Sequence, residues 1–150
     1  MKPFFAWPDR IEMLEEVAHS WVGTAFVPNA RIKGGGVSCQ MLAAEIYGEC
    51  GHLPESPGVP EGPMDWANAQ TSSIIIGWIE SMPHRFMDVE RPWLPGDLIG
   101  FRMGGCVHHL GIVLRHNIMI HCLRPDGVRL NRLDDATYLK RVSRIWRPVE

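Results

Sequence analysis

The sequence predicts an α+β fold, with N-terminal helices packed on a central antiparallel sheet. Three observations carry that expectation. In the first half, apolar residues recur at helical spacing. In the second half they gather into short aliphatic runs separated by turn residues. No flank is long enough to form a typical separate domain, so residues 1–150 read as one domain with one core.

The elements follow in order. Asp9 reads as an N-cap after Pro8, and Ile11, Leu14, Val17, Ala18, Trp21 and Val22 continue at helical spacing, which predicts a helix over about 9–22. Residues 23–36 end in Gly34-Gly35-Gly36 and read as a loop. A second helix starts near Ser38 and runs through Met41, Leu42, Glu45 and Ile46 to a stop at Gly51. Residues 52–63 hold four prolines, which excludes regular helix or central strand and predicts a surface excursion. A third helix is expected over about 64–80, carrying Trp66 and Trp78. Leu98–Phe101, Leu110–Leu114, Ile118–His121, Val128–Leu130 and Ile145–Arg147 read as strands, with a helical turn at Tyr138–Val142.

Composition narrows the function classes. A chain of 150 residues buries roughly 68–70% of its unfolded surface and needs no disulfides for a core. Its net charge of −2 gives no electrostatic footing for nucleic acid or an anionic membrane. No apolar run approaches a membrane span, and the start lacks the apolar core of a secretory signal. The protein is therefore expected in the cytoplasm as synthesised. Cys39, Cys50, Cys106 and Cys122 have irregular spacing and read as reduced thiols.

Cys39 stands apart. Three glycines lead into it, and it begins a helix, where unpaired backbone N–H groups favour a thiolate. Such glycines also permit close approach of a substrate. A thiol nucleophile needs a base, most often histidine. His19 and His52 read as surface residues, His84 and His116 as turn residues, and His108 as structural or at the rim of a site. His109 and His121 pass a geometric test. If residues 115–117 form a three-residue hairpin loop, Gly111 pairs with His121, and the two histidines become diagonal neighbours on one face, roughly 7–8 Å apart at the backbone. A two- or four-residue loop would put them on opposite faces. Cys39, His109 and His121 then supply a nucleophile, a base and a group that orients the base.

Three segments carry a resemblance to the NlpC/p60 cysteine peptidases of bacterial cell walls, which have a papain-like fold. Trp21-Val22-Gly23-Thr24-Ala25-Phe26 is similar to the family's Gly-Thr-x-Tyr entry. Gly36-Val37-Ser38-Cys39 is similar to its Gly-x-Asp-Cys motif. Leu94-Pro95-Gly96-Asp97-Leu98-Ile99, His109-Leu110-Gly111-Ile112 and Met119-Ile120-His121 resemble its Pro-Gly-Asp-Leu, His-Val-Gly-Ile and Ile-His-Ala elements. Each motif alone is weak, and the ordered set is specific. The resemblance implies Cys39 as nucleophile, His109 as general base, His121 as orienting residue and a thioester acyl-enzyme. It implies cleavage of the peptidoglycan stem peptide, such as between D-γ-glutamyl and a diamino acid, with no metal or organic cofactor.

Departures from the family pattern fall close to the nucleophile. Ser38 stands where the family often has Asp and keeps only a cap. Phe26 lacks the hydroxyl that can assist an oxyanion site, and Gln40 is a substitute donor for it. The Gly36–Met41 sequence resembles the NlpC-like domains of phage tail-assembly proteins, which implies phage tail components as partners and arrival at the wall in a virion or on lysis. Arg31, Lys33 and Arg102 are candidates to face the anionic stem peptide. Alternatives are a catalytically idle module of the same fold, an acyl- or amide-transferring relative, and a zinc module using Cys106, His108, His109, His121 and Cys122.

Overall fold

The computed structural model describes residues 1–54, 58–61, 71–103 and 106–150. After a short 3-10 turn at Phe4–Ala6 come helix α1 (Pro8–Trp21), strands β1 (Arg31–Ile32) and β2 (Gly36–Val37), and helices α2 (Cys39–Glu49) and α3 (Thr71–Glu80). Strands β3 (Phe86–Asp88), β4 (Leu98–Met103), β5 (Cys106–Val113), β6 (Ile118–Leu123) and β7 (Gly127–Arg132) follow. A one-turn helix α4 (Ala136–Leu139) precedes β8 (Val142–Pro148). The architecture is the predicted α+β, with a six-stranded antiparallel sheet in the order β3-β8-β4-β5-β6-β7.

Several boundaries move for physical reasons. Helix α1 starts at Pro8, whose fixed φ suits the first helical position. Trp7 takes the cap position with no side-chain bond, and Asp9 lies inside the first turn, so it is not the cap. The expected loop at 23–36 contains a β1–β2 hairpin, with Arg31 opposite Val37 and Ile32 opposite Gly36. Its tip uses Gly34 at φ +77, and a Cβ on Gly36 would lie 2.5 Å from Cγ2 of Val27. The glycines thus serve a tight, packed turn. Of the third helix expected over 64–80, residues 64–70, including Trp66, lie outside the described residues. Strand β3 was not expected, being three residues long with one buried side chain.

The sheet divides the core. On one face Leu98, Leu110, Ile112, Ile120, Cys122 and Val128 join Leu14, Ala18, Met41, Ile46 and Trp78 from the helices. On the other face Ile99, Phe101, Val113, Met119 and Leu133 pack with Tyr138 and Val142. Helix α2 is buried on almost every side, and its apolar residues contribute much of the first cluster. Among the described residues no helix is long and apolar enough to cross a membrane.

The Pro95-Gly96-Asp97-Leu98 element is a structural corner. Gly96 lies at φ +94, its N–H bonds Val113 O at 2.7 Å, and its carbonyl accepts the Tyr47 hydroxyl at 2.9 Å. Asp97 is 1% exposed and accepts two bonds from Arg147, Nε to Oδ1 at 2.9 Å and Nη2 to Oδ2 at 2.8 Å, plus the Leu94 N–H at 2.8 Å. This fork ties the start of β4 to β8.

His52, expected at the surface, is fully buried. The turn after α2 folds it among Phe4, Tyr47 and Phe86, whose ring centroids lie 5.1, 5.4 and 5.0 Å away. Its Nε2 donates to Arg85 O at 2.9 Å, and Arg85 returns a bond to His52 O at 2.9 Å. Burial pushes its pKa from 6.5 down to about 4.

Two predictions follow from these corners. Above pH 6.5 His52 is neutral in both folded and unfolded chains. Between 6.5 and 4 the unfolded chain takes up a proton that the native state refuses, so stability falls as pH drops, by about 3 kcal/mol. Urea midpoints at pH 7.5, 5.5 and 4 measure it, and His52→Phe should flatten the slope. Asp97→Ala strands the Arg147 guanidinium and should cost about 3–5 kcal/mol in the same assay. A loss below about 1 kcal/mol would show that the corner is not structural.

Candidate active site

The chain arrives at Cys39 through a clamp. Val37 N–H donates to Ala25 O at 3.0 Å, Val27 N–H to Val37 O at 3.1 Å, and Ser38 N–H to Ala30 O at 3.2 Å. Phe26 bridges Val37 in parallel. Thr24 is the hub behind this clamp. It is 2% exposed, its hydroxyl accepts the Gly34 N–H at 3.0 Å, and its carbonyl accepts the Val128 N–H at 2.9 Å. The Gly23-Thr24 element therefore joins α1, the hairpin and β7.

Ser38 takes the cap position of α2 with φ −107 and ψ 172. Its carbonyl accepts the first helical bond, from Leu42 N–H at 2.9 Å, but its hydroxyl makes no cap bond and is buried without a partner. The backbone sets the helix start, and the side chain contributes nothing to it.

The two histidines are brought together by register. Arg115–Asn117 closes the β5–β6 hairpin with three residues, Leu114 N–H bonds Ile118 O at 2.7 Å, and Gly111 pairs with His121. His109 and His121 therefore share a face. Their rings lie 5.1 Å apart, with Nε2 of His109 at 2.9 Å from Nδ1 of His121. Both are buried, at 4% and 0% exposure. Phe101 and Tyr138 wall them in.

Cys39 meets β5, the strand that bears His109, at a parting of strands. Beyond Gly111 and His121, β5 and β6 no longer pair. In antiparallel pairing the Leu110 N–H would turn toward β6; here it serves the sulfur of Cys39. The thiol thus sits against the residue next to His109. The side chain is partly exposed. Even so, burial pushes its pKa from 9.0 up to about 11, against the lowering pull of the amides of Leu110, Gln40 and Cys39 itself. The expected helix-start thiolate is corrected on this point: desolvation outweighs the amides, and the resting group is a thiol.

The remaining candidates divide. Gln40 is 2% exposed. Its amide nitrogen donates to Asn29 Oδ1 at 3.3 Å, and its Oε1 accepts the Cys39 S–H at 3.6 Å. It presents an acceptor to the sulfur, which corrects its expected role as a substitute oxyanion donor. Phe26 is half-buried, with Arg124 over its ring at 5.1 Å. Arg31 and Lys33 are bonded to Glu45 at 2.6 Å and Glu49 at 2.9 Å, so these cations pin the hairpin onto α2. Arg102 is exposed on β4, its backbone N–H bonded to Arg141 O at 2.7 Å. The side chains of Cys106 and His108 lie outside what the structure describes. Cys50 and Cys122 are buried thiols, each with its pKa pushed up to about 12 by burial.

Asn131 was missed. It lies on β7, two residues beyond Arg129, the register partner of His121, and its Oδ1 is 2.6 Å from Nε2 of His121. Extending strand parity across the Arg124–Asp126 turn would have found it. As for metal binding, the facing nitrogens of His109 and His121 are spent on one another, and among the described residues no group of three metal-ligating side chains occurs.

No family model matches the chain, and no curated protein matches it. Solved structures do. A lipoprotein-like NLP/P60 family protein of Staphylococcus aureus is 18% identical with a TM-score of 0.65, over 100% of this chain and 45% of that one. The NlpC/p60 domain of the peptidoglycan hydrolase SagA is 15% identical with a TM-score of 0.57, over 90% of this chain and 96% of that one. RipD of Mycobacterium tuberculosis is 14% identical with a TM-score of 0.54, over 96% of this chain and 100% of that one, and is described as a non-catalytic NlpC/p60 domain protein adapted to peptidoglycan binding. The chain spans less than half the length of the staphylococcal protein. Its helices and six-stranded antiparallel sheet have the fold of the NlpC/p60 proteins.

Proposed function

We propose that this chain is a cysteine hydrolase that cuts amide bonds in peptidoglycan stem peptides, with Cys39 as nucleophile, His109 as base and His121 as orienting residue. The observation that carries the reading is the 2.9 Å bond between His109 and His121 beside a thiol held by the Leu110 amide. The SagA likeness supports the substrate class.

Because the resting group is a thiol, the base acts during attack. His109 takes the Cys39 proton as sulfur bonds to the carbonyl carbon, and the carbonyl oxygen becomes an oxyanion. The Cys39 N–H, at the start of α2 and turned toward its own sulfur, donates to it. The imidazolium of His109 then protonates the leaving amine, the C–N bond breaks, and a thioester remains. Water attacks the thioester with His109 again as base, releasing the carboxylate and restoring the thiol. The favoured bond is D-γ-glutamyl to a diamino acid.

A second reading has specific support. The thiol pKa of about 11, the absent hydroxyl at Phe26 and the Gln40 amide turned to Asn29 all weaken transition-state stabilisation. A lost oxyanion donor typically costs about 2.7–4 kcal/mol. With RipD as precedent, these features suit a module that binds wall peptides without cutting them.

Incubation with defined stem peptides, read by mass spectrometry, separates the two. The hydrolase gives two fragments, lost entirely in Cys39→Ala and reduced about 10²–10⁴-fold in His109→Ala. Peptide bound but uncut by the unmodified chain establishes the binding module. Alkylation gives an independent measure. With a pKa near 11, the iodoacetamide rate at Cys39, mapped by peptide mass, should rise about tenfold per pH unit from 7 to 10. A plateau over that range would mean a preformed thiolate.

A further inference from the structure

His121 stands between two polar partners, and the mechanism above uses only one of them. Nε2 of His109 lies on one side, and Oδ1 of Asn131 lies 2.6 Å from its Nε2 on the other. An amide oxygen can only accept, so Nε2 of His121 donates. A neutral imidazole carries one N–H. Nδ1 of His121 therefore holds a lone pair and accepts from Nε2–H of His109. By the same count, a neutral His109 holds its lone pair at Nδ1.

We propose that Asn131 is a positioning residue that, through His121, holds His109 in the tautomer whose Nδ1 takes the thiol proton. The effect on rate rests on the hydrolase reading; the tautomers themselves do not.

The opposite polarity is chemically specific. If the Asn131 NH₂ faced the ring, His121 would accept at Nε2 and donate at Nδ1, and the proton of His109 would move to Nδ1. A charged His121 has the same result, because an imidazolium donates from both nitrogens. Its surroundings resist that charge. Tyr138 of α4 meets it edge-on at 5.0 Å, and Met119 of β6 and Phe101 of β4 belong to the apolar cluster on its face. The other titratable groups around it are His109 of β5, Arg129 opposite it on β7, Asp126 paired with Arg129 at 3.4 Å, and Asp135, which caps α4. Burial holds His121 below the ordinary histidine range, partly offset by Asn131.

An unusual consequence follows for aspartate, ordinarily the stronger orienter. At position 131 a carboxylate would draw charge onto His121 and so reverse the relay at neutral pH. The test is ¹⁵N NMR of imidazole nitrogens in the full chain from pH 5 to 9, for the unmodified protein, Asn131→Asp and Asn131→Gln. In the unmodified protein His121 should be neutral at pH 7, and the neutral form of each histidine should carry its proton at Nε2. Asn131→Asp should raise the His121 midpoint by about one to three pH units and carry the acid limb of kcat/KM up with it, a loss of at least about tenfold below that limb. Asn131→Gln keeps an amide oxygen and should keep the midpoint. A His109 protonated at Nδ1 in the unmodified protein, or an unchanged His121 midpoint in Asn131→Asp, overturns the proposal. The stated tautomers in a chain that cuts no stem peptide would support the relay and overturn the hydrolase reading.

Discussion

The bond between His109 and His121 exists because the β5–β6 hairpin closes with three residues. Side chains alternate along a strand, so a loop one residue shorter or longer would point His121 at α2. The turn achieves its length with His116 at φ 62 and Asn117 at φ 59, a region where asparagine and histidine are among the more tolerant side chains. Asn117 is held further by the Trp93 indole N–H at 3.1 Å and by Leu133 N–H to its carbonyl at 2.9 Å. The placement of a buried polar pair thus depends on an exposed turn.

Around that pair the structure balances two opposing demands. Excluding water strengthens hydrogen bonds between neutral groups but penalises any ion. The histidine pair and Asn131 form one buried chain of hydrogen bonds, each group answering the next. Cys39, though partly exposed, is desolvated as well, and three amides do not offset that cost. Neither the thiol nor His121 favours a charge here, so charge separates at the sulfur only when a substrate provides somewhere for it to go.

Much of this was legible in the sequence where local rules act. Glycines before a cap residue marked the start of α2, and turn length set the parity of His109 and His121. What was hidden depended on contacts distant along the chain. His52 looks like a loop residue until Phe4 and Phe86, from opposite sides of the sequence, enclose it. Arg31 and Lys33 look like solvated cations until the hairpin lays them along Glu45 and Glu49. The Pro95-Gly96-Asp97 element reads as part of a motif, yet its aspartate answers Arg147, fifty residues on. Desolvation of Cys39 was hidden for the same reason, since it depends on how closely β5 packs against the helix start.

Gly127 has a consequence for how the site keeps its dimensions. It lies at φ +81, and a Cβ there would fall 2.4 Å from the Thr24 carbonyl oxygen. That carbonyl also receives the Val128 N–H, so the segment leading to the nucleophile and the strand bearing Asn131 meet through a gap no wider than a missing methyl group. The two arms of the site are therefore coupled mechanically. A side chain at position 127 would touch neither sulfur nor imidazole, yet it would wedge the arm that delivers the thiol away from the strand that orients the base.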